Sequence, residues 1–527
     1  MNGGGFTKEG VNPWLVAPVV ALAAFMEVLD ISIANVSLQH IAGDLAAGQD
    51  ESTWVLTSYL VTNAIILPVS GWLSTALGRK RFFLACIIGF SISSLLCGIA
   101  PNLGTLIFFR AIQGLTGGGL QPCAQAILSD TFPPRQRGMA FALYGMSVVF
   151  APAIGPTLGG WITDTVSWRW VFLLNVPVGV VLSMLVIAMV EDPPALVKAR
   201  LERMGQKLKI DYLGFALLSI GFGFLQVVLD KGEMDDWFAS PFIFWLSIGS
   251  AVSLIAFVIW EFGQDDPIVD LHLLRYRNFA VANILMFVLG FILLGSTVLL
   301  PEMVQRLFGY TATQAGWVIT PGGVTIIFIM PIIGRLVSTV DSRYLISAGL
   351  FIGAMALFHM TSFTLQTDYH HFMMARIYQA IGLSLLFIPI NTAAYRGIPQ
   401  EKSSAASALI NMSRNLGGSF GISLVVTVLS RQGQIHQSVL VEHTTPLNPA
   451  YRHMTDGMIA SFVRHGHTLT EATTMAMSQV AGLVRQQAMM LAFIDDFRLL
   501  GWMFLVLVPF VFLMRKNAMH GNEPAGH

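Results

Sequence analysis

Charge is scarce in this chain. Only 11% of its 527 residues are Asp, Glu, Lys or Arg, against about 25% in an ordinary globular domain. The 30 basic and 30 acidic side chains cancel, so the basic footprint that nucleic acid demands is missing. Nothing in the composition suits a large soluble domain. Cysteine is nearly absent too. Cys86, Cys97 and Cys123 all lie in apolar segments, which offers neither a disulfide framework nor a metal site. There is no HExxH. The run Gly114-Leu115-Thr116-Gly117-Gly118-Gly119 sits inside an apolar stretch and lacks the Lys-Ser/Thr of a phosphate loop. His370-His371 is an isolated pair at a helix start. No enzyme, cofactor or ATP-hydrolysing machinery is visible, which leaves an ion gradient as the natural source of energy. The N-terminus has one lysine, Lys8, and then an apolar stretch interrupted by two acids. That is unlike a signal peptide, so the first helix is expected to be retained.

Apolar residues, by contrast, make up 54% of the chain. Runs of about 20 of them mark membrane-spanning helices, and fourteen are legible: 13–36, 52–73, 81–100, 104–127, 138–160, 169–190, 211–230, 240–261, 279–301, 313–337, 343–363, 370–394, 404–430 and 495–515. The fold class is therefore an all-α polytopic membrane protein. Basic residues recur in alternate loops: Arg79-Lys80-Arg81, Arg135 and Arg137, Lys198, Arg200, Arg203, Lys207 and Lys209, Arg275 and Arg277, Arg343, Arg396 and Lys402, and Arg515-Lys516. The short opposite loops hold little beyond Lys231 and Arg306. This asymmetry places both termini in the cytoplasm.

The spans group as six, two and six: a first bundle over 1–190, a two-helix insert with charged connectors over 191–277, and a second bundle over 278–527. Gly71-Trp72-Leu73-Ser74 leading to Arg79 is echoed by Gly334-Arg335-Leu336-Val337 leading to Arg343. Such a repeat fits the transporter plan of two halves with a substrate site between them. The polar stretch 431–494 is expected outside. Thr468 and Glu471 form a capping box that would open a helix running into the last span. The apolar segment 475–493 suits a membrane or partner surface, or a lid over the protein's own outer face.

The costliest residues are Glu27 and Asp30, one turn apart on one face of the first span. Intramembrane acids usually face a water-filled path or a partner inside the bundle. At 1.5 Å per residue, Asp30 and Arg110 both lie roughly 9 Å from the outer ends of their spans. They could pair, or compete through a proton. Arg376 matches that depth in the second bundle, and Glu27 falls nearer the midplane. Burial disfavours an ionised carboxylate and a nearby cation favours it. A site alternating between these surroundings alternates in proton affinity, as a proton-coupled carrier requires. Asp30, Glu27 and Arg110 are the proton-coupling candidates. Between 145 and 160, Gly145, Gly155, Gly159 and Gly160 permit close helix approach while Pro152 and Pro156 remove backbone donors.

These residues resemble the motifs of one family. Leu29-Asp30-Ile31-Ser32-Ile33-Ala34-Asn35, the loop Gly71-Trp72-Leu73-Ser74 to Gly78-Arg79-Lys80-Arg81, and Arg110-Ala111-Ile112-Gln113-Gly114 are similar to successive motifs of the major facilitator superfamily. The stretch Ala151-Pro152 through Gly155-Pro156 to Gly159-Gly160 resembles its antiporter motif. Trp168-Arg169-Trp170-Val171-Phe172 followed by Asn175-Val176-Pro177 fits as well. Fourteen helices with a long outer loop before the last resemble the EmrB/QacA-type drug:proton antiporters, the EmrB branch in particular. Thr75 departs from the pattern, standing where the loop motif usually has an acid.

The resemblance implies a major facilitator fold and a bacterial inner-membrane antiporter that exports hydrophobic, amphipathic compounds by alternating access and confers antibiotic resistance. It implies a periplasmic membrane-fusion adaptor and an outer-membrane channel as partners. The family's helix-one acid falls on Asp30 and its helix-four arginine on Arg110. Polar residues within the spans nominate a cavity lined by Glu27, Asn35, Asn63, Gln113, Gln121, Asn283, Gln379, Asn391 and Asn411, with aromatic and Met side chains that tolerate varied ligands. Two other readings stay open. One is an exporter of a single metabolite, such as a fatty acid or siderophore, whose negative charge would prefer Arg110, Arg376 and Arg414. The other is a membrane sensor or assembly scaffold.

Overall fold

Prolines and glycines decide how the long apolar runs divide into helices. The structure, a computed structural model, describes residues 11–192, 197, 211–264 and 267–515. The basic residues Lys8, Lys198, Arg200, Arg203, Lys207, Lys209 and Lys516 lie outside the described residues. The first helix, α1 (Pro13–Asp44), opens on Asn12, whose side chain accepts the Trp14 N–H. A short α2 (Gln49–Ser52) leads into α3 (Trp54–Leu77) and α4 (Arg79–Gly98). Gly78 joins the last two at φ +89°, a backbone region that side chains disfavour. The predicted span 104–127 is divided at Gly118–Gly119 into α5 (Leu103–Gly117) and α6 (Leu120–Thr131). Then come α7 (Pro134–Thr165), α8 (Arg169–Leu173), α9 (Asn175–Met189), α10 (Tyr212–Lys231) and α11 (Pro241–Phe262). The remainder is α12 (Arg277–Phe308), α13 (Ala312–Leu336), α14 (Ser342–Met360), α15 (Tyr369–Ala394), α16 (Ser403–Glu442), α17 (Pro449–Arg464) and α18 (Leu469–Val511).

Each of the fourteen predicted spans falls on helix. Among the described residues, 11 helices are long and apolar enough to cross a membrane, with α8 and α9 acting as one. The other three predicted spans are the divided α5–α6 and the two long helices α16 and α18. This is a multi-pass membrane protein.

One end of the bundle carries the basic loops. Arg79 of α4 meets Ser403 of α16, and Lys402 meets Asp270 at 2.7 Å. At the same end, a Cβ on Gly138 of α7 would lie 2.6 Å from the Gly334 carbonyl of α13. At the opposite end, Arg169 and Trp168 hold Asp44 of α1, at 2.5 and 2.9 Å.

The helix with the glycine–proline stretch, α7, is the central wall. On one side α1 closes on it: a Cβ on Gly155 would stand 2.3 Å from Ser32 Oγ, and one on Gly159 3.1 Å from Ile33 Cα. Pro156 has no N–H to give the Pro152 carbonyl four residues back, and Ser32 Oγ donates to that oxygen instead, at 3.4 Å. On its other side α7 meets α13, where Gly316 abuts Thr157 and Gly323 abuts Ala153. Gly145 faces Phe387 of α15 at 2.8 Å, whereas Gly160 meets nothing nearer than Thr313 at 3.9 Å. Gly160 is thus no close-approach site. The repeat seen in sequence has a counterpart here. Gly71 of α3 abuts Ala405 of α16 and Gly334 of α13 abuts Gly138 of α7, so each repeated glycine sits where an early helix crosses a late one.

Two helices outrun the bilayer. At 1.5 Å per residue, the 40 residues of α16 and the 43 of α18 span about 60 and about 65 Å, twice a hydrocarbon core of about 30 Å. They pass from the bundle into a helical projection at the end away from the basic loops. His436 and Arg498 grip Asp495 at its root, at 2.7 and 3.1 Å. Thr468 and Glu471 form the expected capping box on α18. Glu471 accepts the Thr468 N–H and hydroxyl, which holds its carboxyl below the usual glutamate range. The stretch 431–494 does not fold back as a lid. Its first and last parts continue two bundle helices, and α17 packs along α18. The insert is also placed. Its α10 lies between α3 and α16, with Asp230 on Thr57, Lys231 on Thr53 and Gln226 on Ser419.

Candidate functional site

Asp30 is the hub of a closed polar cluster in the first helices. Arg110 Nη1 donates to its Oδ2 at 2.5 Å, while Gln113 Nε2 and Asn175 Nδ2 donate to its Oδ1 at 3.0 and 2.7 Å. Both partners of the ion pair are withdrawn from solvent. Arg110 and Gln113 stand one turn apart on α5, so the glutamine can also accept from Arg110 Nη1 at 2.8 Å. Arg110 Nε reaches the Val55 carbonyl at 3.1 Å, and the guanidinium lies over the Tyr59 ring, 4.3 Å from its centroid. Asn175 in turn donates to Ser94 at 3.1 Å. The depth-matched pair expected from sequence is in direct contact. Removing Asp30 would leave the Arg110 guanidinium buried and unpaired, which costs about 3–5 kcal/mol.

Glu27 belongs to a second cluster, at the boundary between early and late helices. Asn63 Nδ2 donates to its Oε1 at 3.0 Å, and its Oε2 is buried without a hydrogen bond. Gln121 and Arg414 lie close enough to act on it electrostatically. Gln121 also accepts from Arg414, so Glu27 of α1 faces a cation on α16 across a glutamine of α6.

From there a ladder of polar contacts descends toward the basic end. Gln125, one turn along α6, takes Asn411 Nδ2 on its Oε1 at 2.6 Å and gives its Nε2 to Asn391 at 2.9 Å. Tyr144 reaches Gln121 and Asn411, and Tyr395 reaches Gln125, all at 3.5 Å. At the foot, Arg79 pairs with Asp130, and Ser403 of α16 joins both, 2.9 Å from Arg79 and 2.8 Å from Asp130. The loop motif keeps its charge pairing despite Thr75, which bonds only to its own helix at Gly71. Lys80 reaches Asp192 through its backbone N–H, and Arg81 is exposed.

The remaining predicted residues are scattered. Asn35 is exposed, beyond Asp30 on α1. Asn283 ties α12 to α16 by accepting from Ser413 at 2.9 Å. Gln379 forms a third cluster with Arg376, Ser296 and Thr297. Sequence reading missed Gln125, Tyr144, Asp130 and Asn175 as site residues. The first was within reach, because Gln121 and Gln125 are spaced i, i+4 and must share a face.

A membrane bundle whose early and late helices meet along one polar seam, with an acid–arginine cluster buried beside it, is the architecture of a secondary transporter. Residues 20–422 match the Major Facilitator Superfamily, and the chain belongs to that superfamily, in its EmrB-type group. It is 35% identical over 524 residues to the multidrug export protein EmrB of Escherichia coli (strain K12), covering 98% of each chain. It is likewise 35% identical over 520 residues to the fatty acid resistance protein FarB of Neisseria gonorrhoeae, covering 99% of each. The solved structure of the proton:xylose symporter XylE shares the fold at 13% identity, with a TM-score of 0.61 and 96% of both chains covered. The EmrB relative is an export protein.

Proposed function

We propose that the protein is a proton-coupled multidrug efflux antiporter of a bacterial inner membrane, exporting hydrophobic and amphipathic compounds by alternating access. The observation that carries this reading is the Asp30 cluster: an acid held by Arg110, Gln113 and Asn175 inside the membrane bundle. A proton arriving from outside competes with Arg110 for Asp30. When it wins, the carboxyl ceases to hold the guanidinium, and α1 is released from α5. Because α1 also forms one side of the α7 wall through Gly155 and Gly159, this local change is coupled to how early and late helices meet.

The seam from Gln121–Arg414 down to Asp130–Ser403 closes the end that carries the basic loops, the cytoplasmic end under the positive-inside rule. Opening toward the cytoplasm requires these contacts to part, which exposes Glu27, Gln121, Asn391, Asn411 and Arg414 to cargo. Glu27 and Arg414 then supply one charge of each sign, suited to a broad cargo range. The helical projection of α16, α17 and α18 lies on the outer side. Leu447, Leu469 and Met477 are exposed along it, at 89%, 68% and 57%, and they form the docking face for a periplasmic adaptor leading to an outer-membrane channel.

The test is transport by reconstituted protein under an imposed pH gradient. Asp30→Asn should abolish gradient-driven ethidium efflux while the protein still inserts, and full retained efflux would remove Asp30 from the coupling. Deleting 436–490 should reduce adaptor co-purification more than insertion, and unchanged co-purification would refute the docking face. The resemblance to a fatty acid resistance protein supports a second cargo class, amphipathic acids.

A further inference from the structure

Arg79, Arg110, Arg376 and Arg414 are all buried. Arg79 pairs with Asp130 and Arg110 with Asp30. Arg414 faces Glu27 across Gln121. Arg376 has no such counter-charge among the described residues. Its Nη1 donates to Gln379 Oε1 at 2.6 Å and its Nη2 to Thr297 Oγ1 at 3.1 Å, both neutral acceptors. A guanidinium withdrawn from water is costly without an anion beside it.

The vacancy has a template in the same chain. Arg110 stands seven residues into α5 with Gln113 one turn on, and Arg376 stands seven residues into α15 with Gln379 one turn on. In both, the glutamine Oε1 accepts from arginine Nη1, at 2.8 and 2.6 Å. The first glutamine then gives its Nε2 to the Asp30 carboxylate at 3.0 Å, and the second gives its Nε2 to Ser296 Oγ at 2.7 Å. Arginine and glutamine are arranged alike, and a serine hydroxyl stands where the first cluster has its carboxylate.

We infer that Arg376, Gln379, Ser296 and Thr297 form a receptor for the carboxylate of an amphipathic cargo, which takes the place that Asp30 fills in the first cluster. Arg376 keeps 6% of its surface exposed, whereas Arg110 keeps none, so the second cluster retains the access the first has lost. Two donors converge on one anion: the forked guanidinium, which suits a carboxylate, and the glutamine amide, released from Ser296. The surrounding helices are apolar, so the ligand must bring an apolar body with its acid.

The inference rests on the exporter reading, and one set of measurements separates the two. Full-length protein in detergent is titrated with radiolabelled decanoate, with decanol as the uncharged control, and ethidium efflux is followed in proteoliposomes. Wild type should bind decanoate saturably and more tightly than decanol. Arg376→Gln should weaken decanoate by about 10- to 100-fold, the range for losing a hydrogen bond to a charged group. Ser296→Asp should weaken it comparably by installing an internal counter-ion, and it keeps the arginine paired should the first variant fold poorly. Ethidium efflux should persist in both. Equal binding of decanoate and decanol, unchanged decanoate binding in both variants, or parallel loss of decanoate and ethidium would overturn the carboxylate site. A wild type that binds decanoate yet moves neither cargo would contradict the exporter reading and leave the site standing.

Discussion

Replacing Asp30 by Asn, Arg110 by Gln, and both together forms a cycle whose outcome follows from the geometry. Asp30 accepts hydrogen bonds from Arg110, Gln113 and Asn175 at 2.5, 3.0 and 2.7 Å, with neither member of the ion pair exposed. Asparagine keeps the volume but removes the charge, and its amide must face donors already aimed at a carboxylate. Arg110 is left buried and unpaired, a loss of about 3–5 kcal/mol. Arg110→Gln costs less, about 2–3 kcal/mol, since Gln113 and Asn175 still hold Asp30. The double variant carries no buried charge and should recover most of the loss, for a coupling of about 4–6 kcal/mol. At about 2 °C per kcal/mol for a large chain, Asp30→Asn should lower the apparent melting temperature in detergent by about 6–10 °C and the double variant by about 3 °C or less. Tryptophan fluorescence at one fixed scan rate measures all four proteins. A double variant that melts at the sum of the two single losses would refute the reasoning.

Gln125→Leu removes its bonds to Asn391, Asn411 and Tyr395, and should loosen the seam toward the basic end. In a background without the native cysteines, Ser407→Cys should then react faster with an impermeant maleimide, and an unchanged rate would count against the ladder. Gly155→Leu forces a side chain onto Ser32, already 2.3 Å from a Cβ there, at an overpacking cost of about 1–3 kcal/mol. Transport should fall while insertion persists, and normal transport would show that the α1–α7 seam is not used. The cap of α18 should respond to acid. Because its hydrogen bonds to Thr468 hold the Glu471 carboxyl below its ordinary 4.5, the cap's contribution is complete above that value and is lost as pH falls through the lowered one. Hydrogen exchange over 469–475 should therefore rise between about pH 6 and about pH 3 in wild type and not in Glu471→Gln. Identical pH profiles would contradict the cap.

The sequence carried helix positions well because apolar runs are local signals. The Thr468–Glu471 cap was legible for the same reason, since both residues lie within one turn. The Asp30–Arg110 contact was legible from depth alone, because helices of a bundle start from two common planes. The ladder was not. Whether Gln125 faces Asn411, lipid or its own neighbours depends on how α6 is rotated against α16, and periodicity in a uniformly apolar helix does not report rotation. Asn35, five residues beyond Asp30 and so turned about 140° away from its face, is polar and exposed. In the polar stretch 431–494 the Thr468–Glu471 cap signals a helix only toward its end. The continuation of α16 through Glu442 was missed because its polar residues ended the apolar run without ending the helix.

The arrangement of Arg376 and Gln379 against Arg110 and Gln113 suggests how one bundle plan divides its work. The first copy is sealed around its own acid and suits proton exchange. The second offers a cation with neutral neighbours and suits cargo. Glu27 of α1 and Arg414 of α16 meet across Gln121, at the boundary between early and late helices.

The central claim is that Asp30 exchanges its proton against cargo. Proton release on cargo binding tests it most directly, using purified protein in nearly unbuffered detergent solution with a pH indicator. Wild type should release protons on binding ethidium, and Asp30→Asn should bind ethidium with no release. Equal release from both proteins would contradict the account.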